Sequence, residues 1–522
     1  MLFKRLASAA LATVVGLGAA GSALAEEVTV KSEDLSALIE RLEAAEKKIK
    51  ELEQAPKAPA ASQEFDVPAS VAAGSNGQPV FRRVSAPVDP EDPIFKRLEK
   101  LESNWVEMDA AQSDIAKQLK DGFIKDGSSN TTMKISGRIH ADWWAFPDSD
   151  DAAGLEGTPG VSPQDRFEWR RVRFGVAGDI KDNMLYKIEM EFADPNDTQY
   201  RDVYIGFKDL PWLQTLLIGN QKRPFGLDHI NSSRYNVFME RPMTVEAMNQ
   251  DARRLGIASY GKSDDLAWNW RAGIYQMELT QDDQGYRGDN YQPQLAARLA
   301  NTAWYDECTD GRSYIHWAVS GMLGFPDGDG SAAGGNQATF DTRPEARSSR
   351  DWIDTGRIAG ADKIYQLGLE SVANFGPMQV VGELQQAWVQ RTGANPDLYN
   401  WGAYGYVSYF LTGEHIPWDR ETGQLGRVKP FQNFFLVNTC DGCTDGGWGA
   451  LQLAARWSYA DFSDENIQGG VGESFTLGVN WHWNPNARLQ LNYINGNIVG
   501  NQVRPGNDAD YNILGARFMV DF

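Results

Sequence analysis

Two periodicities divide this chain. In the first 125 residues apolar positions recur three and four apart, and from Met133 onward they recur every second residue. Leu35, Leu38, Leu42, Ala45, Ile49 and Leu52 form a heptad seam with charged residues between them, which predicts a coiled coil within residues 26–55. Ile94, Leu98, Leu101, Trp105, Met108, Ile115 and Leu119 repeat the seam within residues 94–125, with polar Gln112 at a core position that would set register. Seams this short are marginal unless several chains join, so they predict an oligomer. Residues 56–93, rich in Pro, Ala, Ser and Gly, read as a flexible linker. Ahead of both lie Lys4 and Arg5, an apolar stretch from Leu6 to Ala20, and Ala23-Leu24-Ala25, the layout of a signal peptide over residues 1–25.

After Met133 the alternation predicts 16 strands, the first over Met133–Ala145 and the last over Asp510–Phe522. Met184, Tyr186, Ile188, Met190 and Phe192 face one way, and Lys187, Glu189 and Glu191 the other. Tight turns such as Lys181-Asp182-Asn183 and Gly376-Pro377 alternate with longer loops, and no 18-residue apolar run follows the leader. A soluble β-sandwich would alternate too. Here, however, charges recur on the polar face (Lys187, Glu189, Arg271, Arg298, Arg456, Arg488, Arg517). Aromatic residues gather at strand ends (Trp143, Trp144, Phe192, Tyr275, Trp304, Tyr305, Trp457, Trp481, Trp483), and the chain closes on a strand ending in Phe522. The fold class read from this is all-β. It is a 16-stranded antiparallel transmembrane β-barrel over residues 131–522, preceded by an α-helical coiled-coil segment and a linker.

Composition changes the picture in one respect. The chain has a net charge of −21, which argues against a nucleic-acid partner. From Thr131 onward it holds 26 Arg against 8 Lys, with 50 Asp and Glu. Arginine is the residue suited to forked contacts with carboxylate and phosphate. Three connections are long enough to fold into a lumen: Lys222–Arg254, Pro326–Asp362 and Gly413–Trp448. The basic residues on or near them, Arg170, Arg171, Lys222, Arg223, Arg241, Arg253, Arg254, Arg343 and Arg347, are the candidates for an anion-binding constriction. Asp228, Glu240, Glu246 and Asp251 share the first of these stretches, which predicts a constriction of mixed charge. The five His lie in separate segments without metal-ligand or triad spacing, so neither metal, cofactor nor enzymatic activity is expected. Cys440 and Cys443 are spaced for a local disulfide or, less readily, half a zinc site; Cys308 stands apart.

Phe167-Glu168-Trp169-Arg170-Arg171-Val172-Arg173-Phe174-Gly175, Gly219–Leu227, Phe238-Met239-Glu240-Arg241, Arg253-Arg254-Leu255-Gly256 and Leu514–Phe522, in this order, resemble the phosphate-selective porin family (porin O and P). The resemblance runs from about Met133 to the end. It implies a trimeric outer-membrane porin in which outer loops and a periplasmic turn enter the lumen. It also implies a ladder of arginines and a lysine cluster that bind phosphate or related oxyanions. The function expected is passive diffusion of small anions, phosphate or polyphosphate among them. The expected partners are those anions, outer-membrane lipid, two further copies of the chain, and the cell wall through the periplasmic N-terminal coil. The alternative is a structural barrel that anchors the envelope to the cell wall by that coil.

Overall fold

The computed structural model describes residues 123–126, 131–156, 162–250, 252–280, 291–326, 336–438, 444–500 and 508–522. The leader, both heptad segments, the linker, Asp251, Cys440 and Cys443 lie outside the described residues.

The alternating region closes into a barrel of 16 antiparallel strands. In chain order they are β1 Thr131–Ala145, β2 Arg166–Ile180, β3 Met184–Glu191, β4 Gln199–Leu210, β5 Gln214–Lys222, β6 Arg253–Lys262, β7 Trp268–Gln276 and β8 Pro293–Tyr305. There follow β9 Ser313–Gly324, β10 Ala361–Phe375, β11 Met378–Arg391, β12 Leu398–Phe410, β13 Ala450–Asp464, β14 Ile467–Asn484, β15 Ala487–Val499 and β16 Ala509–Asp521. Each strand pairs with the next, and β16 pairs with β1 from Arg138↔Asp521 to Ala145↔Leu514. Closure leaves no open edge between the 16 barrel strands, which lets an alternating chain sit in lipid. The seam is finished by the terminal residue: Phe522 N donates to Gly137 O (3.1 Å) and Gly137 N to Phe522 O (2.9 Å). The Phe522 ring lies over Gly137, where any Cβ would collide with it. Beyond that point the short strand Phe123–Asp126 takes up pairing with β1, Phe123 opposite Lys134.

The strand number matches the sequence expectation, and so does the rule of short turns at one end and long loops at the other. Residues 181–183, 211–213, 376–377 and 485–486 turn at the end that carries Phe522, while 223–252 and 325–360 leave from the opposite end. The last outer connection but one differs from the sequence pattern, whose alternation marks strands over Gly449–Phe462 and Ser474–Trp483. β13 and β14 are joined by residues 465–466 alone, because both strands run on past their apolar stretch and Gly469 and Gly472 pack under Thr355, Ile353 and Met243. The outer face carries Trp143, Phe167, Trp169, Trp304, Trp388, Trp457 and Phe518, all well exposed, as lipid-facing side chains are. Two members of the expected aromatic belt do not belong to it. Trp144 (0% exposed) and Tyr275 (2% exposed) point inward, since each lies one step out of phase with the outward residues of its own strand.

Candidate functional site

The loop 223–252 enters the barrel and is fastened to one side of it. It carries two short helices, α1 Leu227–Ile230 and α2 Met243–Asn249. Inward polar side chains of β8 to β16 hold its backbone. Arg223 Nη1 donates to Gln294 Oε1 (2.8 Å), and Glu383 accepts from Leu227 N and Asp228 N (3.1 and 2.7 Å) at the start of α1. Gln366 donates to Met248 O (2.9 Å), Arg456 to Glu240 O (3.0 Å), Asn480 to Val237 O (2.8 Å) and Arg488 to Asn236 O (2.7 Å). Between these bonds Phe238, Val237 and Val245 pack on Val381, Tyr404 and Tyr406, and the Arg456 guanidinium lies 4.4 Å over the Phe238 ring. This contact supplies the apolar burial that fixes the loop.

A second loop, 411–449, rises from the short-turn end. Leu425 N donates to Asn231 Oδ1 (3.1 Å), Trp418 Nε1 to Thr302 Oγ1 (3.0 Å), and Arg271 Nη2 to Thr422 O (2.6 Å). Loops from both ends thus meet inside the barrel.

What remains open is a cavity of ≈ 1120 Å³ against the wall β1–β7. Thirteen arginines and three lysines line it, against three aspartates and four glutamates, a surplus of nine positive charges. The surplus occurs in a chain of net charge −21, so the basic residues have been gathered inward. Acids are distributed among these cations: Asp202 belongs to the lining, while Glu189 and Glu191 are buried just outside it and offset two of the nine. Glu189 meets Arg138 (3.2 Å) and Arg173 (3.4 Å); Glu191 meets Arg173 (2.5 Å); Asp202 meets Arg253 and Lys187 (2.5 Å each). Arg241, Arg271, Arg343 and Arg357 instead donate to backbone carbonyls of Asp228, Thr422, Ser348 and Asn336. A carbonyl satisfies a guanidinium's hydrogens without cancelling its charge.

Two β-bulges place basic residues that simple alternation would turn to lipid. The β1–β2 register steps from His140↔Arg171 to Ala141↔Trp169, so Arg170 is skipped. Trp169 faces out before the step and Phe174 after it. Arg170, Arg171 and Arg173 therefore all line the cavity. The β3–β4 register steps from Ile188↔Val203 to Met190↔Tyr200, and Arg201 and Asp202 both reach the cavity.

Of the nine residues singled out from the sequence, Arg170, Arg171, Lys222, Arg241, Arg253, Arg254, Arg343 and Arg347 line this cavity; Arg223 is buried beside Gln294, outside it. Lys222 serves the loop, donating to the carbonyls of His229, Ile230 and Asn231 (3.0, 3.0 and 2.6 Å). Arg254 donates to Arg253 O (2.9 Å) and Gln250 O (2.6 Å), and Arg347 meets Glu168 (3.0 Å). The lining also contains Arg138, Arg173, Lys187, Arg201, Arg234, Lys262, Arg271 and Arg357, not named as candidates. Inward parity signalled Arg173, Lys187 and Arg271; nothing in the alternation distinguished Arg201, which depends on the bulge.

Glu240, on the loop, sits where the two sets of groups meet. Arg170 grips its carboxylate with two bonds (2.8 and 2.9 Å), Arg517 donates to it (2.6 Å), and Arg171 lies 4.0 Å away. Burial would raise this carboxyl, but Arg170, Arg517 and Arg171 outweigh it and hold the group well below the usual range. Asp341, on the outer loop 325–360, also lines the cavity and has the opposite setting. Burial and the neighbouring Asp351, Asp354 and Glu246 push it up to about 7. Its cross-strand partner is Asp354.

A closed barrel with inserted loops and a polar lumen is the architecture of an outer-membrane channel. The model of the family phosphate-selective porin O and P matches residues 134–522, and the chain belongs to that family. An uncharacterised protein of Caulobacter vibrioides is 27% identical over 366 residues, 68% of each chain. Among solved structures, OmpT of Vibrio cholerae in its trimer form is 14% identical with a TM-score of 0.46, covering 75% of this chain and 99% of that one. An anion-selective porin from Comamonas acidovorans is 12% identical with a TM-score of 0.44, covering 75% and 100%.

Proposed function

We propose that this channel passes small anions, phosphate among them, by passive diffusion, and that the basic cavity against β1–β7 is its selective constriction. The observation that carries the reading is the surplus of positive charge along the wall of a cavity of ≈ 1120 Å³. Low-dielectric walls concentrate the field of such a surplus, raising the local concentration of anions and expelling cations. Arg241, Arg271, Arg343 and Arg357, bonded to carbonyls, keep their charge for a passing ion. The ion would shed part of its hydration against guanidinium forks and move between neighbouring sites, none tight enough to trap it. No energy source or covalent step is required.

A trimer fits this reading. Within the strands, the outward faces of β5 and β6 carry the aliphatic Ile218, Leu255 and Ile257, where most other strands carry an exposed aromatic residue. Such a face suits another copy better than the lipid interface. Planar-bilayer recordings in asymmetric potassium chloride, with and without phosphate, test the reading. A reversal potential of anion sign and a chloride current reduced by phosphate are expected; cation preference at neutral pH would refute it.

A further inference from the structure

Resting on that reading, we propose that Glu240 is a resident counter-anion of the constriction: an arriving anion displaces its carboxylate from Arg170 and Arg171, and this competition keeps the site weak enough to release its cargo. Three observations carry it. First, the β1–β2 bulge delivers Arg170 and Arg171 to the same point of the cavity wall, and Glu240 lines that cavity beside them. The carboxylate occupies the Arg170 fork with the two-oxygen geometry that a phosphate would adopt (2.8 and 2.9 Å).

Second, Arg171 is not satisfied by the arrangement. It is 3% exposed and lies 4.0 Å from Glu240; its Nη1 sits 3.3 Å from His140 Nδ1, and its Nε has no hydrogen-bond partner. The Nε atoms of Arg138 and Arg456 share that state, but Arg171 alone of the three stands beside the Arg170–Glu240 fork, where a partner for its N–H could enter. An anion entering between Arg170 and Arg171 would supply it.

Third, the loop can release the carboxylate without moving. The Glu240 carbonyl is held by Arg456 (3.0 Å) and the preceding Met239 carbonyl by Arg517, so the backbone is fixed from β13 and β16 and not by Arg170. When the side chain leaves Arg170, Arg517 remains beside it, with Asp142 completing that pair (2.7 and 2.6 Å). The displaced charge therefore keeps one cation, and the exchange swaps hydrogen bonds without stranding a buried ion.

The competition has a kinetic meaning. A fork of two arginines with no counter-charge would hold phosphate longer and pass it more slowly. The experiment is phosphate titration of the chloride current through single channels of the wild type, Glu240→Gln and Glu240→Asp. Glutamine preserves shape and a hydrogen-bond acceptor but removes the competing charge. The phosphate concentration giving half block is expected to fall about ten-fold in Glu240→Gln, and the saturating phosphate current to fall with it, whereas Glu240→Asp returns the block to within about two-fold of the wild type. A half-block concentration unchanged or raised in Glu240→Gln overturns the proposal, as does an equal change in both variants, which would mark Glu240 as structural. A wild-type channel that prefers cations would overturn the anion reading itself, a different failure from an anion channel indifferent to Glu240.

Discussion

The two halves of the barrel wall use the same residue to opposite ends. On β1–β7, Arg138, Arg171, Arg173, Arg253 and Arg271 border an open cavity. On β8–β16, Arg298, Arg456, Arg488 and Arg517 lie outside that cavity. Their guanidiniums hold the inserted loops: Arg298 joins Glu370 and the carbonyl of Gly423, Arg456 joins Glu345 and the carbonyl of Glu240, and Arg488 joins the carbonyl of Asn236. All of them obey the same inward parity. What separates them is which side the loops 223–252 and 411–449 lean on. Alternation tells whether a side chain points into a barrel, and the loops decide whether it meets water or protein when it gets there.

The comparison is broken most severely from the packed side. Arg456→Met would leave the buried Glu345 carboxylate without its ion partner (2.5 Å), and stability is expected to drop by about 3–5 kcal/mol. Thermal unfolding of the detergent-folded barrel would show this, together with new protease cutting in 223–252. A variant as stable as the wild type would mean that the loop does not need this wall. On the open side the balance reverses. Arg343→Ala removes a cation bonded to a carbonyl (Ser348 O, 3.2 Å), so a stability loss of no more than about 1 kcal/mol is expected, with a fall in anion preference visible in the reversal potential.

A smaller effect comes from pH. Asp341 lines the cavity and is pushed up to about 7, so its negative charge is present above that pH and disappears as pH falls through it. The anion preference should rise modestly between pH 8 and pH 6, and Asp341→Asn should show the acidic value at both. An identical pH profile in wild type and variant would exclude this carboxyl as the cause. Smallest is the exposed pair between Lys262, at the end of β6, and Glu421 on the loop from the short-turn end, the lower loop 411–449 (2.6 Å). Glu421→Gln should change stability by under about 1 kcal/mol and, because this carboxylate is mostly exposed to water, shift the reversal potential less than Asp341→Asn does. A large change there would mean that the lower loop controls the channel.

Much of the fold was legible because its physics is local. Period-2 alternation, turn residues and a terminal aromatic strand marked 16 strands without any knowledge of their partners. The β13–β14 connection was less legible, since those strands continue beyond the lipid band with glycines that carry no apolar signal. The site was legible in composition and only partly in placement. The pairs Arg170-Arg171 and Arg253-Arg254 stood out as clusters, and both line the cavity. Adjacent residues within a regular strand cannot share a face, so Arg170 and Arg171, in mid-strand, reach one side through a bulge that no residue type announces, whereas Arg253 and Arg254 stand at the first two positions of β6. Lys222 and Arg223 look alike in sequence and differ in structure, because α1 ends beside Lys222 and draws its amine onto three carbonyls. Trp144 and Tyr275 looked like belt residues by type and proximity to strand ends; parity overrules both.

The central claim is that selectivity resides in the open basic wall. Its most direct test is the reversal potential, in a ten-fold gradient of potassium chloride at pH 7.5, of the wild type and of a variant carrying Arg171→Ala, Arg241→Ala and Arg254→Ala. The wild type is expected to prefer chloride and to be blocked by phosphate, and the variant to lose the block and most of that preference while still folding. A variant that keeps the wild-type reversal potential and phosphate block would contradict the claim.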